Sequence, residues 1–584
     1  MARDAFVLGI DYGTESGRVV VVRVRDGVMA GSATVPYADG VISERLPLPG
    51  SRPLPAEWAL QNPRDYLRVL EKGVPRALRQ AGVRGERVIG LATDFTCSTP
   101  LPTTADGTPL CFLPAWRREP HAWVKLWKHH AAQPQADRIT EIGRARQEEF
   151  VRVYGGRYSS EWFFAKLLQV VEENPSVYDA IERWIEAADW IVWQLCGAEK
   201  RSACAAGYKA MWIARREGGA FPSPGFFRAL HPSLENVIGT RVPTAYYPLG
   251  ACAGGLTPYW ARKTGLRAGT PVAIGNVDAH GAVPACTVTA PGRMVMVMGT
   301  SICHLVLGES RRWVEGMCGV VQDGVIPGLW GYEAGQSAVG DIFAWFFHRA
   351  VPAALEREAR RAGVSLADWL ERRAAAVPPG ASGLLALDWW NGNRSVLVDA
   401  GLSGLMVGFG LETRSEEIYR ALIEATAFGT RQIIAAFESQ GVAIEALYAC
   451  GGLAEKNQLL MQIYADVTGR EIRLPRYPQT TSALGAALHA AVAAGPAAGG
   501  YASIQAAAQA MASLERRVYR PRPAAQATYD RLFEEYRALH DYFGRGGSLV
   551  MKRLKALRDE CRSQAAAAPA RRRPARARIQ GAAS

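Results

Sequence analysis

Short apolar runs broken by glycine turns open the chain. Phe6-Val7-Leu8-Gly9-Ile10 reads as a buried strand, Asp11 to Gly17 as a turn and Arg18 to Val24 as a second strand, and an Asp26-Gly27 turn leads into Val28-Met29. Strand, turn and strand in quick succession predict a β-meander. A Rossmann unit would pass from its glycine turn straight into a helix, whereas here β-branched residues continue after the turn. Helical periodicity begins later. Asn62-Pro63 has the form of an N-cap followed by proline at the first helical position, and Tyr66, Leu67, Leu70, Val74 and Leu78 share one face. Pro75 is expected to kink or interrupt that helix. Aromatic-rich helices are predicted over residues 159–171 and 181–195, the second stopping at Gly197.

Near residue 290 the opening pattern returns. Arg293 to Met298 is a predicted strand, Gly299-Thr300-Ser301 a turn, and Ile302 to Leu307 a strand again, so the chain reads as two similar halves. Helices follow over residues 415–438 and 455–468, the latter with Leu459, Leu460, Ile463, Tyr464 and Val467 on its apolar face. A Cys450-Gly451-Gly452 turn precedes it.

At 584 residues the chain is too long for one core and calls for two or more domains. The first residues lack the basic-then-apolar layout of a signal peptide and no apolar run would span a membrane, so a cytoplasmic protein is expected. Ten cysteines without a C-x-x-C pair suggest neither a disulfide framework nor a zinc site. The net charge of +13 invites a nucleic-acid reading, but Arg571, Arg572, Arg573, Arg576 and Arg578 supply five of it, leaving 13 − 5 = +8. That Ala/Pro/Arg-rich tail is expected to be disordered, and nucleic acid is not an expected partner.

Chemistry enters at the turns. In Asp11-Tyr12-Gly13-Thr14 the glycine lets backbone approach a phosphate, successive N–H groups form an anion-binding concavity, and Thr14 adds a hydroxyl. Asp11 offers oxygens suited to Mg²⁺, directly or through water. A single such turn is equally compatible with a plain hairpin. The second, Gly299-Thr300, supplies a facing clamp, and two hairpins opposed around a nucleotide describe an actin-like ATPase fold. Gly451 and Gly452 fit a place where adenosine lies against bare backbone, although a helix-entry loop reads the same way. Phosphoryl transfer also needs a carboxylate to orient the attacking hydroxyl and take its proton, and Asp278, after the strand Pro271 to Ile274 and before the second clamp, is the best candidate. A helix cap is the alternative for that residue. His280 and His304 lack metal-ligand spacing and read as satisfied cleft or core histidines. No P-loop, protein-kinase or H-E-x-x-H motif is present.

Taken together, these motifs resemble the FGGY carbohydrate kinases from about Phe6 to about Leu557. The family's C-terminal signature is approximated by Gly404-Leu405-Met406-Val407-Gly408 and by the run from Glu417 to Glu424, with Phe409 and Leu422 departing slightly. The strings at residues 13–18, 94–96, 159–162, 207–212, 331–337, 452–457 and 462–466 are most similar to members that phosphorylate L-ribulose. The resemblance implies an α/β fold of two actin-like ATPase (ribonuclease H-like) domains around a cleft. Residues 1–283 would carry the sugar site and first phosphate clamp, 284–557 the second clamp and adenosine site, and 558–584 a disordered basic tail. It implies ATP and Mg²⁺ as cofactors, L-ribulose or another ketopentose as acceptor, a role in L-arabinose breakdown and a homodimer. It assigns the ketopentose to Trp127, Lys209, Asp278 and Glu333 with the backbone near Cys97, and ATP to Asp11, Gly13, Thr14, Gly299, Thr300, Gln336, Gly451, Gly452 and Asn457. Trp123, four residues before Trp127, is a rival for the aromatic wall. Kinases of D-ribulose, xylulose or glycerol, or a non-metabolic actin-like ATPase, are the alternatives.

Overall fold

The computed structural model describes residues 4–214 and 220–567. Its first sheet holds β1 (Phe6–Tyr12), β2 (Ser16–Arg23), β3 (Met29–Pro36), β4 (Val88–Phe95), β5 (Cys252–Gly255), β6 (Pro271–Ala273) and β7 (Asn276–Val277), in the order β3-β2-β1-β4-β6-β5 with β7 beside β4. The second holds β8 (Gly292–Met298), β9 (Ile302–Gly308), β10 (Gly319–Gln322), β11 (Trp330–Gln336), β12 (Ile444–Cys450), β13 (Ile472–Pro475) and β14 (Leu514–Tyr519), in the order β10-β11-β9-β8-β12-β13-β14. Both sheets repeat one plan. An antiparallel meander (β1-β2-β3; β8-β9-β11) is followed by strands parallel to its first member (β4 and β6; β12 and β13). The sequence repeat is therefore a structural repeat.

The predicted helix from Asn62 forms in two pieces, α1 (Pro63–Arg68) and α2 (Val74–Ala81), separated by one π-helical turn. Asn62 caps α1 by accepting from the Arg64 N–H. Pro75 falls in the first turn of α2, where the missing donor costs little. The interruption thus precedes the proline. In the middle of the chain, α3 (Phe163–Glu173) begins four residues later than its apolar run suggests. Residues 181–195 are not one helix: Arg183–Glu186 is a strand paired with Pro100–Thr103, and only α4 (Ala187–Cys196) is helical, ending as predicted at Gly197. Cross-strand pairing there overrides helical periodicity.

Helix α5 (Ala203–Lys209) crosses from the first half onto the second sheet. Its Gly207 sits against Val321, and the Tyr208 ring lies on Gly319, Gly324 and Gly331, where any Cβ would collide with the ring or its hydroxyl. Helix α6 (Asp278–Ala285) follows β7, and the long α7 (Ser415–Ser439) covers the second sheet. The predicted helix 455–468 is broken into α8 (Gly452–Lys456) and α9 (Gln458–Thr468), because the Asn457 side chain caps α9 through the Leu460 N–H.

Helix α10 (Thr481–Ala494) comes from the C-terminal half yet packs on the first sheet. Gly9 of β1 faces the Ala483 carbonyl and Gly90 of β4 the Ala490 carbonyl, and α10 crosses α6 at Gly485 and Gly281. Added Cβ atoms at Gly9 and Gly485 would lie 1.8 and 1.9 Å from backbone oxygen. A division of the chain near residue 283 is thus crossed by α10. One apolar cluster joins Val7, Val20 and Ala92 of the first sheet to Val295 and Leu305 of the second, with α6 and α10 between them. Helix α6 is therefore held by both sheets.

The C-terminal helix runs over Val550–Ala567, so residues 558–567 are helical rather than the start of a disordered tail. Arg, Glu, Gln and Ala in that stretch are strong helix formers. The arginine-rich remainder lies outside the described residues, and among those described no helix is long and apolar enough to cross a membrane.

Candidate active site

The ends of four adjacent strands in the first sheet align one polar residue each. Arg18 of β2 opposes Asp11 of β1, Asp11 opposes Asp94 of β4, and Asp94 opposes Asn276 of β7. Residues in register share one face of a sheet, so this row forms a polar ledge. Asp278 stands two residues past Asn276, at the first position of α6. Asp94 is fully buried, and neither of its carboxylate oxygens has a hydrogen-bond partner. Burial and the neighbouring Asp11 and Asp278 carboxylates hold its pKa well above the usual range. Burial likewise raises Asp11, against the opposing pull of Arg18. Sequence reasoning noticed Asp94 only inside a matching string; its register with Asp11 becomes visible once β1 and β4 pair.

Asp278 accepts from the Ala279 N–H at 2.7 Å, which fixes one carboxylate oxygen. Its side chain does not cap α6, whose N-cap is Val277. Burial, then repulsion from Asp11, push its pKa up to about 7. A carboxylate poised near neutrality suits a general base.

The two Gly-Thr turns close their hairpins alike. The Gly13 N–H donates to the Ser16 carbonyl and the Gly299 N–H to the Ser301 carbonyl, each at 3.0 Å. The first turn is half-buried. Trp127 donates its indole N–H to the Thr14 hydroxyl at 3.0 Å, and Gln61 donates to the Thr14 carbonyl at 2.6 Å. Trp123, the rival aromatic, is buried in a separate cluster with Trp58 and Leu60 and donates to the Arg117 carbonyl. The second turn is exposed, and the Thr300 carbonyl accepts from the Gly340 N–H. Gly451, at φ +94°, donates to the Pro478 carbonyl, and a Cβ there would lie 2.3 Å from the Met298 carbonyl oxygen. This close approach sets Gly451 and Gly452 beside Gly299. Gly452 faces open space.

Gln336 and Asn457 have their amides engaged within the second half. Gln336 donates to Asp388 and to the Thr426 carbonyl and accepts from Thr430, whereas Asn457 donates to Tyr419 while capping α9.

Lys209, at the end of α5, and Glu333, on β11, meet across the two halves with Nζ 2.6 Å from Oε1. Both are buried. Burial opposes ionisation of each, but their mutual attraction outweighs it, so the Lys209 pKa is raised and that of Glu333 depressed well below the carboxylate range. The Trp162 ring lies 5.5 Å from the Lys209 ammonium. Glu161 beside it pairs with Arg394 at 2.8 Å, a second bridge between the halves. Cys97 is partly buried, and the backbone after it is pinned: Glu186 accepts from the Ser98 hydroxyl and the Thr99 N–H, and Lys166 donates to the Ser98 carbonyl. Glu186, Lys166 and Arg394 gave no local sequence signal, because each acts on residues far away in the chain.

Oxygen donors of Asp11 and the two orphaned oxygens of Asp94 fit a hard cation approached through water. Among the described residues no group of three His, Cys, Asp or Glu side chains could hold a metal ion by itself. Such a cation would therefore take the rest of its shell from water and phosphate.

Two sheets of one plan, a Gly-Thr turn on each and a carboxylate on the helix between them define an actin-like phosphotransferase. A model of the FGGY family of carbohydrate kinases, C-terminal domain, matches residues 294–494. A ribulokinase of Anoxybacillus flavithermus is 53% identical over 558 residues, covering 96% of this chain and 98% of that protein. A ribulokinase of Geobacillus thermodenitrificans is 54% identical with the same coverage. The xylulose kinase structure from Rhodospirillum rubrum shares the fold, with a TM-score of 0.72 at 23% identity over 92% of this chain and 98% of that one. The chain belongs to the FGGY family of carbohydrate kinases.

Proposed function

We propose that this kinase transfers the γ-phosphoryl group of Mg·ATP to the 5-hydroxyl of L-ribulose, giving L-ribulose 5-phosphate and ADP in L-arabinose breakdown. The observation that carries the reading is Asp278: a half-buried carboxylate with a pKa of about 7, one oxygen tied to its own helix, at the start of the helix packed between the two sheets. The relatives named ribulokinase, alike over almost the whole chain, support the choice of sugar.

Lys209 donates to sugar oxygens and Glu333 accepts from sugar hydroxyls, while Trp127 and the backbone near Cys97 wall the pocket. Asp278 orients the 5-hydroxyl and takes its proton as the bond to phosphorus forms. Gly13, Thr14, Gly299 and Thr300 hold phosphate oxygens through backbone N–H and hydroxyl groups, and Gly451 and Gly452 lie under adenosine. Asp11 would hold Mg²⁺ through water, and the cation, bound with ATP, would supply charge neutralisation at the phosphates. Gln336 and Asn457 serve ATP indirectly, by bracing β11 and the start of α9. The Lys209–Glu333 and Glu161–Arg394 bridges span the halves, so closing the cleft completes the sugar pocket and excludes water. A cytoplasmic homodimer completes the proposal, as a family expectation.

A coupled ADP-release assay over L-ribulose, D-ribulose, L-xylulose, D-xylulose and glycerol tests the substrate. L-Ribulose should show the highest kcat/KM, and a higher value for any of the others would reassign it.

A further inference from the structure

His280, two residues after Asp278 on α6, is buried, and neither ring nitrogen makes a hydrogen bond. Three other buried histidines are satisfied at one nitrogen or more: His129 by the Ala59 N–H and Gln169, His304 by Thr430, His489 by the Gly485 carbonyl. A buried imidazole with no well-aligned hydrogen bond is costly and calls for a reason. Its Nε2 lies 3.3 Å from Glu333 Oε2, and that oxygen is itself without a hydrogen bond. The ring centre is 4.2 Å from that of Tyr208, which rests on its glycine floor, so the imidazole has little room to turn elsewhere. On the opposite side of the same carboxylate, Oε1 holds Lys209. Two unsatisfied atoms thus face each other within reach but out of alignment, beside a pair that bridges the two halves.

We infer that His280 is a positioning residue for the sugar. With the ketopentose bound, its Nε2–H donates to Glu333 Oε2 and fixes the rotation of the carboxylate, so that the lone pairs left free by Lys209 and His280 meet the sugar hydroxyls. Burial keeps the imidazole neutral, and one N–H is all this role needs. The inference rests on the reading of Lys209 and Glu333 as sugar ligands.

The test is L-ribulose affinity by titration calorimetry, together with KM for both substrates, in His280→Asn, His280→Gln and Glu333→Gln. The Gln side chain places an amide N–H near the position of Nε2, whereas the shorter Asn does not reach it. His280→Asn should weaken sugar binding by roughly tenfold with the KM for ATP unchanged, and His280→Gln should recover most of that loss. Unchanged sugar affinity in His280→Asn, or equal losses in Asn and Gln, overturns the inference while leaving the sugar pocket standing if Glu333→Gln binds poorly. Unchanged affinity in Glu333→Gln overturns both. Should His280→Asn not fold, His280→Gln decides: near-native affinity supports the role, and a loss as large as that of Glu333→Gln refutes it.

Discussion

The turns at residues 13–16 and 299–301 share a Gly-Thr pair and the same closing hydrogen bond, yet their surroundings differ. The first is tied to side chains from elsewhere in the first half, since Trp127 and Gln61 both donate to Thr14, and Trp127 is the residue proposed for the sugar wall. The second is exposed and is held by local contacts, the Gly340 N–H on the Thr300 carbonyl and the Ala338 N–H on the Ser301 hydroxyl, with Gly451 beside it. Repeated strands thus carry unequal duties. On the proposed assignment, the first half would link sugar to phosphate through side chains, and the second would meet nucleotide through an open turn beside a backbone approach that glycine at 451 permits.

That contrast can be broken from either side. Gly451→Ala meets both a positive φ and the Met298 carbonyl, a strain of about 1–3 kcal/mol. At about 1.4 kcal/mol per factor of ten, the KM for ATP should rise by roughly 5- to 100-fold. Steady-state kinetics should find the KM for L-ribulose unmoved; a parallel rise would mean that the nucleotide side is not separate. Trp127→Phe keeps the apolar wall but removes the donor to Thr14, a hydrogen bond worth about 0.5–1.5 kcal/mol. Both KM values should rise together by roughly two- to tenfold. An effect on one substrate alone would show that the first turn does not couple them.

The meanders and the repeat were legible because alternation and glycine turns are local signals, and so were Gly13, Thr14, Gly299 and Thr300. Lys209 and Glu333 emerged from resemblance, and their pairing depends on α5 crossing onto the second sheet, which no local pattern encodes. The strand hidden in residues 183–186 was missed because its partner lies about eighty residues earlier. His280 reads from sequence as a satisfied histidine, whereas in the fold its one close carboxylate, Glu333, lies out of hydrogen-bond alignment. Asp94 shows the same limit, since its carboxylate gains meaning only through register with Asp11.

The central claim is that Asp278 accepts the proton of the sugar hydroxyl, and the pH dependence of kcat/KM for L-ribulose tests it most directly. The pKa of Asp278 is raised to about 7 and its basic form is the active one, so activity is full above that pH and falls as pH drops through it. Below the midpoint the loss should be about tenfold per pH unit, and Asp278→Asn, retaining ATP binding, should lower turnover by roughly 10²- to 10⁴-fold and abolish the limb. A profile that stays flat through the acid range, or an acid limb that survives in Asp278→Asn, would contradict the assignment.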